Sequence, residues 1–216
     1  VQDIYNNPKV TKGPAYDGSH MGKERPNMFN EADRELHRQK RKTVGPAISE
    51  RAMRFFEQDL SEEVDVFVTL LLEASQKNEV IDMTPRCERL GVDIVGRLAF
   101  GFQLKSQREP AHRHITEGIK ARSALSSVYM AWPILRILNP VFTWLSTRRE
   151  TDKENLYKSL RTVIGSRMVL LKEAKHDFYA QVSGVMPPDE LWAEAILIVG
   201  AGKLILCPVL LVAHSG

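Results

Sequence analysis

Residues 37–54 read HRQKRKTVGPAISERAMR, and the reading of the whole chain turns on them. His37 and Arg41 stand four residues apart, so on a helix both side chains project from one face. An imidazole N–H beside a guanidinium fork suits a carboxylate or phosphate, because charge-assisted bonds to a planar anion need donors in that arrangement. The wider run RELHRQKRK, residues 34–42, sets Arg34, Arg38, Lys40, Arg41 and Lys42 against Glu35 alone. Such a run ordinarily forms a solvated helix face, and it also suits an anionic partner.

Outward from this stretch the periodicity is helical. Met53, Phe56, Leu60, Val64, Phe67 and Leu71 make one apolar stripe and predict one long helix. In VIDMTPRCERLGVDIVGRLAFG, residues 80–101, Thr84 is the expected N-cap with Pro85 at the first helical position. Gly101 is the expected stop. Residues 110–131 predict a further helix, broken at Trp132–Pro133 and again at Asn139–Pro140. A long helix is expected from about Arg148 to Lys175, and a last one in ELWAEAILIVGAG, with Asp189 as its N-cap. Residues 1–30 are rich in Pro, Gly, Asn and Lys and read as a long surface loop with one helical turn near its start. No period-2 strand and no repeat stands out, so the expected fold class is mainly α.

The bulk properties exclude several classes. At 216 residues, 43% hydrophobic and 26% charged, the chain is composed like a soluble globular protein and is long enough for one domain. A net charge of +3 does not indicate a general nucleic-acid binder, and no nucleic-acid partner is expected. Cys87 and Cys207 are too few and too far apart for a disulfide framework or a zinc site, and they point to a reducing compartment. VQDIYNNPKV begins without Met and lacks the layout of a signal peptide, so this end reads as that of a fragment.

Several segments in chain order carry a resemblance. HRQKRKTVGPAIS resembles the helix C region of the cytochrome P-450 superfamily, the haem-thiolate monooxygenases, with Pro46–Ser49 as a "PAFS"-like element. DIYNNPKVTKGPAYDG and KERPNMFNEADRELH are similar to the helix B and B–C loop of fungal members, and residues 80–101 to their helix E. HDFYAQV resembles the segment after helix G, and DELWAEAILIVGAG the start of the long helix I. The resemblance implies a partial cytochrome P-450 fold, helices B to I, over residues 1–202, without the haem-thiolate half. By the same resemblance, residues 203–216 are expected to be an apolar tail outside the family. It implies that haem (iron) is the cofactor, with His37 and Arg41 contacting its propionates, and that residues 17–30 and 110–145 border a substrate cavity. Buried propionate charges need such cationic hydrogen-bond partners. By the same resemblance the substrate is a lipophilic small molecule and the electron donor an NADPH-dependent reductase. The location is the cytosolic face of the endoplasmic reticulum membrane, without an N-terminal anchor in this chain.

The pattern breaks at Gly202. Ala201 and Gly202 match the family's oxygen groove, but Leu204 replaces its acid and Ile205 its Thr, and neither side chain carries protons. The family's iron ligand is a Cys in a loop containing Phe, Gly and Arg, and Cys207 in LILCPVLL has no such loop. Glu31/Arg34 and Glu35/Arg38 have the Glu-x-x-Arg spacing but lie ahead of helix I, where the family's pair follows it. No catalytic residue and no metal ligand is therefore assigned, and the chain as written is expected to be inactive. Gly202–Lys203 can be encoded GGT-AAG, a common intron start, which makes a translated intron one origin for the tail. As a membrane span, residues 195–213 carry Lys203 as their one charge, at a cost of roughly 2.5–3.5 kcal/mol, so membrane association is physically allowed. Two other readings stand beside the monooxygenase. One is a non-catalytic helical protein binding an anionic partner through residues 34–42. The other is a truncated product whose exposed apolar faces aggregate.

Overall fold

Helix α1, Arg34–Val44, starts where Asp33 in extended conformation accepts the Leu36 N–H at 2.8 Å, which satisfies one of the orphan donors of a helix start. A 3-10 turn, Gly45–Ile48, follows directly. It turns Ala47 into the core at 1% exposure, and Ser49 then caps α2, Glu50–Phe55, by accepting the Ala52 N–H at 3.3 Å. The PAIS segment thus works as a corner: a small residue inward, a hydroxyl cap outward. The computed structural model describes residues 7, 9–19, 25–137, 157–162, 164–167, 169, 178–182 and 184–213, with backbone alone from 202 onward.

The stripe from Met53 to Leu71 predicts one helix, whereas the chain forms two. Phe56, buried with φ −96° and ψ 0°, ends α2 and starts α3, Glu57–Gln76. Nor is the stripe the inward face of α3. Of its residues on α3, Leu60 and Val64 lie 41% and 37% exposed and Phe67 and Leu71 are half-buried, whereas the buried residues of α3 are Glu63 and Ala74. Polar bonds explain this. Helix α4, Met83–Phe100, turns Arg97 toward α3, where it pairs with Asp59 at 3.1 Å, Glu62 at 2.8 Å and Glu63 at 3.0 Å. A guanidinium only 9% exposed needs that many acceptors to offset its desolvation, and α3 supplies them from a buried Glu63 and from the half-exposed Asp59 and Glu62.

α4 starts two residues earlier than its sequence signals suggest. Asp82, not Thr84, is the N-cap, and its carboxylate accepts the Thr84 N–H at 2.9 Å. Gly101 ends the helix as expected. It adopts φ 57°, a left-handed conformation that glycine takes without strain, and the Phe102 N–H returns to the Gly96 carbonyl at 3.1 Å. The returning chain is pinned from inside. Asp93, 1% exposed, accepts the Ser106 N–H at 2.9 Å and the Gln107 N–H at 3.0 Å, and Gln107 Nε2 donates to Glu63 Oε2 at 3.1 Å.

Helix α5, Arg113–Ala131, ends at Trp132–Pro133 as predicted, and a 3-10 turn, Pro133–Arg136, follows. The break at Asn139–Pro140 lies outside the described residues. Of the long helix expected from Arg148, residues 157–162 and 164–167 are helical, and the stretch before them is also outside. His114 of α5 meets Ser159 there through Nε2 and Oγ. Helix α6, Phe178–Val182, is short. Helix α7 runs Pro188–Ala213, so Asp189 lies in its first turn and is not its cap. It also continues past Gly202, where the sequence pattern suggests a seam, and through Pro208. A proline removes one intrahelical bond, and the remaining backbone keeps the helix.

Two apolar clusters join these elements. Val92, Val95, Ala99 and Phe100 of α4 pack with Ile115 and Ile119 of α5, Leu160 and Ile164, and Ala195, Ile196 and Val199 of α7. Val44 and Ala47 pack with Phe178, Tyr179 and Val182 of α6, Met186 and Leu191. Each large side chain buried this way contributes about 1.5–3 kcal/mol. No strand occurs among the described residues, and none of their helices is long and apolar enough to cross a membrane. The mainly α fold stands.

Candidate functional site

The site sits where α1, α7 and the segment 25–31 meet. Asn27 and Asn30 lock that segment into a tight turn: Asn27 Oδ1 accepts the Phe29 N–H at 3.1 Å, and Asn30 Oδ1 accepts the Asn27 N–H at 2.7 Å. Short amide side chains bond neighbouring backbone in this manner, which is why such pairs favour turns. The turn is then clipped to α7 by Glu194 Oε1, which accepts the Met28 N–H at 2.7 Å, and by Arg25, which pairs with Asp189 at 2.7 Å and Glu190 at 2.9 Å. It is clipped to α1 by Lys40, whose Nζ donates to the Pro26 carbonyl and pairs with Glu31 at 3.0 Å.

Lys40 and Glu31 are both under 10% exposed, so each neutralises a charge the other could not bury alone. Glu194 is 1% exposed with no cation bonded to it among the described residues. Burial therefore pushes its carboxyl up to about 7, against the Met28 bond and the nearby Lys40 charge. This strap ties three parts of the chain together: Met28 and Glu194 are 166 positions apart.

His37 and Arg41 lie along α1 beside the strap, His37 half-buried and Arg41 exposed. Burial lowers the His37 imidazole below its ordinary value, and the charges of Lys12 and Arg41 push the same way, while Glu31 opposes them. Among the described residues neither His37 nor Arg41 pairs with an acid, so their donors are available to an anion. Lys12 joins them from the preceding segment. Its Nζ donates to the Met28 carbonyl at 3.0 Å and stands 5.7 Å from the centroid of the Tyr16 ring, which packs on Phe29 at 5.4 Å. Donors of these types suit a carboxylate or phosphate.

The other sequence-derived residues are elsewhere. Ala201 is half-buried in α7, and Gly202 is helical just after it, with its surroundings outside the described residues. Cys87 is 2% exposed in the core of α4, away from any solvent-facing site, and the side chain of Cys207 lies outside the described residues. Of the segments expected to border a cavity, residues 20–24 and 138–145 are likewise outside. The parts that are described do meet: the 3-10 turn Pro14–Ser19 packs on α5 and touches the turn Pro133–Arg136. Among the described residues no group of three or more His, Cys, Asp or Glu side chains is placed to hold a metal ion.

Sequence reasoning did not single out Lys12 or Glu194. Glu194 had a signal, a lone acid inside the apolar run WAEAILIVG, where a carboxylate marks either a buried bond or a buried proton. Lys12 had none, since one lysine in a polar loop looks like any other.

Comparison with known proteins bears on this site. The family described as Cytochrome P450 matches residues 6–189. The chain is 27% identical to a protein named Cytochrome P450 monooxygenase ORF9 of Penicillium roqueforti over 206 residues, 89% of this chain and 39% of that protein. It is 31% identical to Cytochrome P450 monooxygenase btcB of Colletotrichum orbiculare over 78 residues, 36% of this chain and 15% of that one. It is 27% identical to Cytochrome P450 monooxygenase poxM of Penicillium oxalicum over 143 residues, 63% of this chain and 28% of that one. The chain thus spans well under half the length of these relatives. With a family match over most of its residues and a mainly helical fold, the chain belongs to the cytochrome P450 family.

Proposed function

We propose that this chain is the anion-holding part of a haem-dependent monooxygenase, in which His37 and Arg41 bind the haem carboxylates. The observation that carries the reading is the pair of unengaged donors on one face of α1, beside a strap that fixes the helix against α7. Haem, when bound, supplies the centre for oxygen activation. The residues of this chain bind and orient its anionic edge, and Glu194 and Lys40 hold α1, the strap and α7 in register. A lipophilic small-molecule substrate, an NADPH-dependent reductase and a place on the cytosolic face of the endoplasmic reticulum membrane belong to the same proposal. So does the division into a family portion, 1–202, and a tail, 203–216, and the assignment of Ala201 and Gly202 to an oxygen groove. Leu204 and Ile205, where the family pattern has an acid and a hydroxyl, leave this chain without those proton carriers.

Titration of the purified chain with haemin, read by the Soret band, tests the reading. Saturable binding that weakens in His37→Ala and Arg41→Met supports it, and binding indifferent to both changes refutes it. Sequencing the spliced transcript across Gly202 tests the tail separately. A mature message running straight into Leu204 rules out a retained intron.

A second reading rests on the outward face of α1, where Arg34, Arg38, Arg41 and Lys42 are all exposed. A non-catalytic protein docking an anionic partner there would bind it with strong salt dependence and with little regard for His37.

A further inference from the structure

We propose that Arg86, Arg89 and Arg113 form a binding site for a phosphate-class oxyanion at the junction of α4 and α5. The site is separate from the donors on α1, and it stands whether or not the chain holds haem.

Hydrogen bonds build the junction. After Gly101 the chain runs back along α4, where Asp93 holds it by accepting the Ser106 and Gln107 N–H groups at 2.9 and 3.0 Å. One turn before Asp93, the Arg89 carbonyl accepts the Ser106 hydroxyl at 3.3 Å. Arg113, the first residue of α5, reaches back to the same serine. Its Nε donates to the Ser106 carbonyl at 3.1 Å and its Nη2 to the Gln107 carbonyl at 3.5 Å. Ser106 thus bonds Arg89 through one oxygen and Arg113 through the other, which brings α4 and the start of α5 together at these two residues. Arg86 precedes Arg89 by three positions and neighbours it on the same face of α4.

These three cations are half-buried, and the acids around them are engaged or outnumbered. Asp93 is spent on two N–H groups, Glu88 pairs with Lys120, and Asp82 caps the start of α4. Glu109 and Glu117 are exposed, and the exposed Lys105 and Arg108 match them in number. Among the described residues, none of the three arginines pairs with a carboxylate. Burial acts against the Arg89 charge, Arg113 and Arg86 push the same way, and Glu117 and Glu88 oppose them. Arginine does not shed its proton, so a bound anion is what relieves the cost of holding these charges together. The start of α5 adds to the same field, since His112 provides no side-chain cap and no acid stands in the first turn. The Arg113 bonds leave Nη1 unused, and Arg86 and Arg89 keep their donors open among the described residues. Guanidinium forks arriving from two helices suit a tetrahedral dianion with acceptors on every side, whereas a planar carboxylate fills one fork.

The test is titration of the purified chain with inorganic phosphate, with chloride at matched ionic strength as the reference. Arginine Nε–H signals in proton–nitrogen NMR report where the anion sits, and thermal melts report its effect on the fold. Saturable shifts of the Arg89 and Arg113 signals are expected, with a melting temperature that climbs with phosphate beyond the chloride reference. Losing one charge-assisted bond weakens binding about tenfold. Arg86→Gln and Arg89→Gln are each expected to show that loss, and Arg89→Lys a smaller one. If phosphate acts no differently from chloride, or the Arg89 and Arg113 signals of the wild-type chain stay still, the proposal is overturned without recourse to any variant. The donors on α1 also suit phosphate, so Arg41→Met is titrated in parallel. Binding that is lost in Arg41→Met and kept in Arg86→Gln and Arg89→Gln places the anion on α1 and overturns the proposal as well.

Discussion

Replacing Glu194 by Gln changes how stability depends on pH, and the structure sets the size of the change. The Glu194 carboxyl is 1% exposed and is raised from 4.5 to about 7 by burial. Below about 4.5 the acid is protonated in both the folded and the unfolded chain, so it contributes no pH dependence. Between 4.5 and 7 the unfolded chain ionises while the folded chain keeps its proton, so stability falls as pH rises. Above 7 both are ionised and the full cost is present. At about 1.36 kcal/mol per pH unit, that gap corresponds to about 3 kcal/mol. Glutamine keeps an oxygen to accept the Met28 N–H and cannot ionise. Glu194→Gln is therefore expected to match the wild type near pH 5 and to exceed it by up to about 3 kcal/mol at pH 8. Urea unfolding followed by circular dichroism at several pH values measures the difference. Carbon-13 NMR of the Glu194 carboxyl reads the titration directly. A stability difference that does not change with pH, or a carboxyl that titrates near its ordinary value, would refute the reasoning.

Three further outcomes are expected. Gly96→Ala places a Cβ 2.8 Å from Leu104 Cδ1 and 3.1 Å from the Phe102 carbonyl, so the turn after α4 must shift; a loss of about 1–3 kcal/mol should appear in thermal melts. Asp93→Ala leaves the buried N–H groups of Ser106 and Gln107 without their acceptor, each worth about 1–3 kcal/mol. Hydrogen exchange at those two amides should accelerate, and unchanged protection would count against the network. Finally, the purified chain reduced under carbon monoxide should show no thiolate-type haem band, because Cys87 is packed in the core of α4 and Cys207 lacks the family's ligand loop. A clear band of that type overturns the expectation.

Much of the helical layout was legible because it depends on nearby residues. Gly101 stops α4 through its own left-handed backbone, and Trp132–Pro133 ends α5 through a missing donor. The caps were less legible. Asp82 and Thr84 are both good N-cap residues two positions apart, and local pattern does not choose between them. The apolar stripe of α3 misled for a different reason: Arg97 on α4 needs acids facing it, and that demand rotates Glu63 inward and leaves Leu60 and Val64 toward solvent.

The sequence by itself determined the helical class, the collinear family pattern, and the pairing of His37 with Arg41 on one face, since helical spacing alone places residues four apart side by side. Only the tertiary structure decided which charges are free to act there. Lys40 sits one position from Arg41 and looks equally available in the sequence, yet burial against Glu31 removes it from any ligand. Lys12 and Glu194 enter because the strap at Met28 joins them across the chain, Lys12 through its carbonyl and Glu194 through its amide. Burial and pairing depend on neighbours distant in sequence, and those exist only once α1, the strap and α7 have packed.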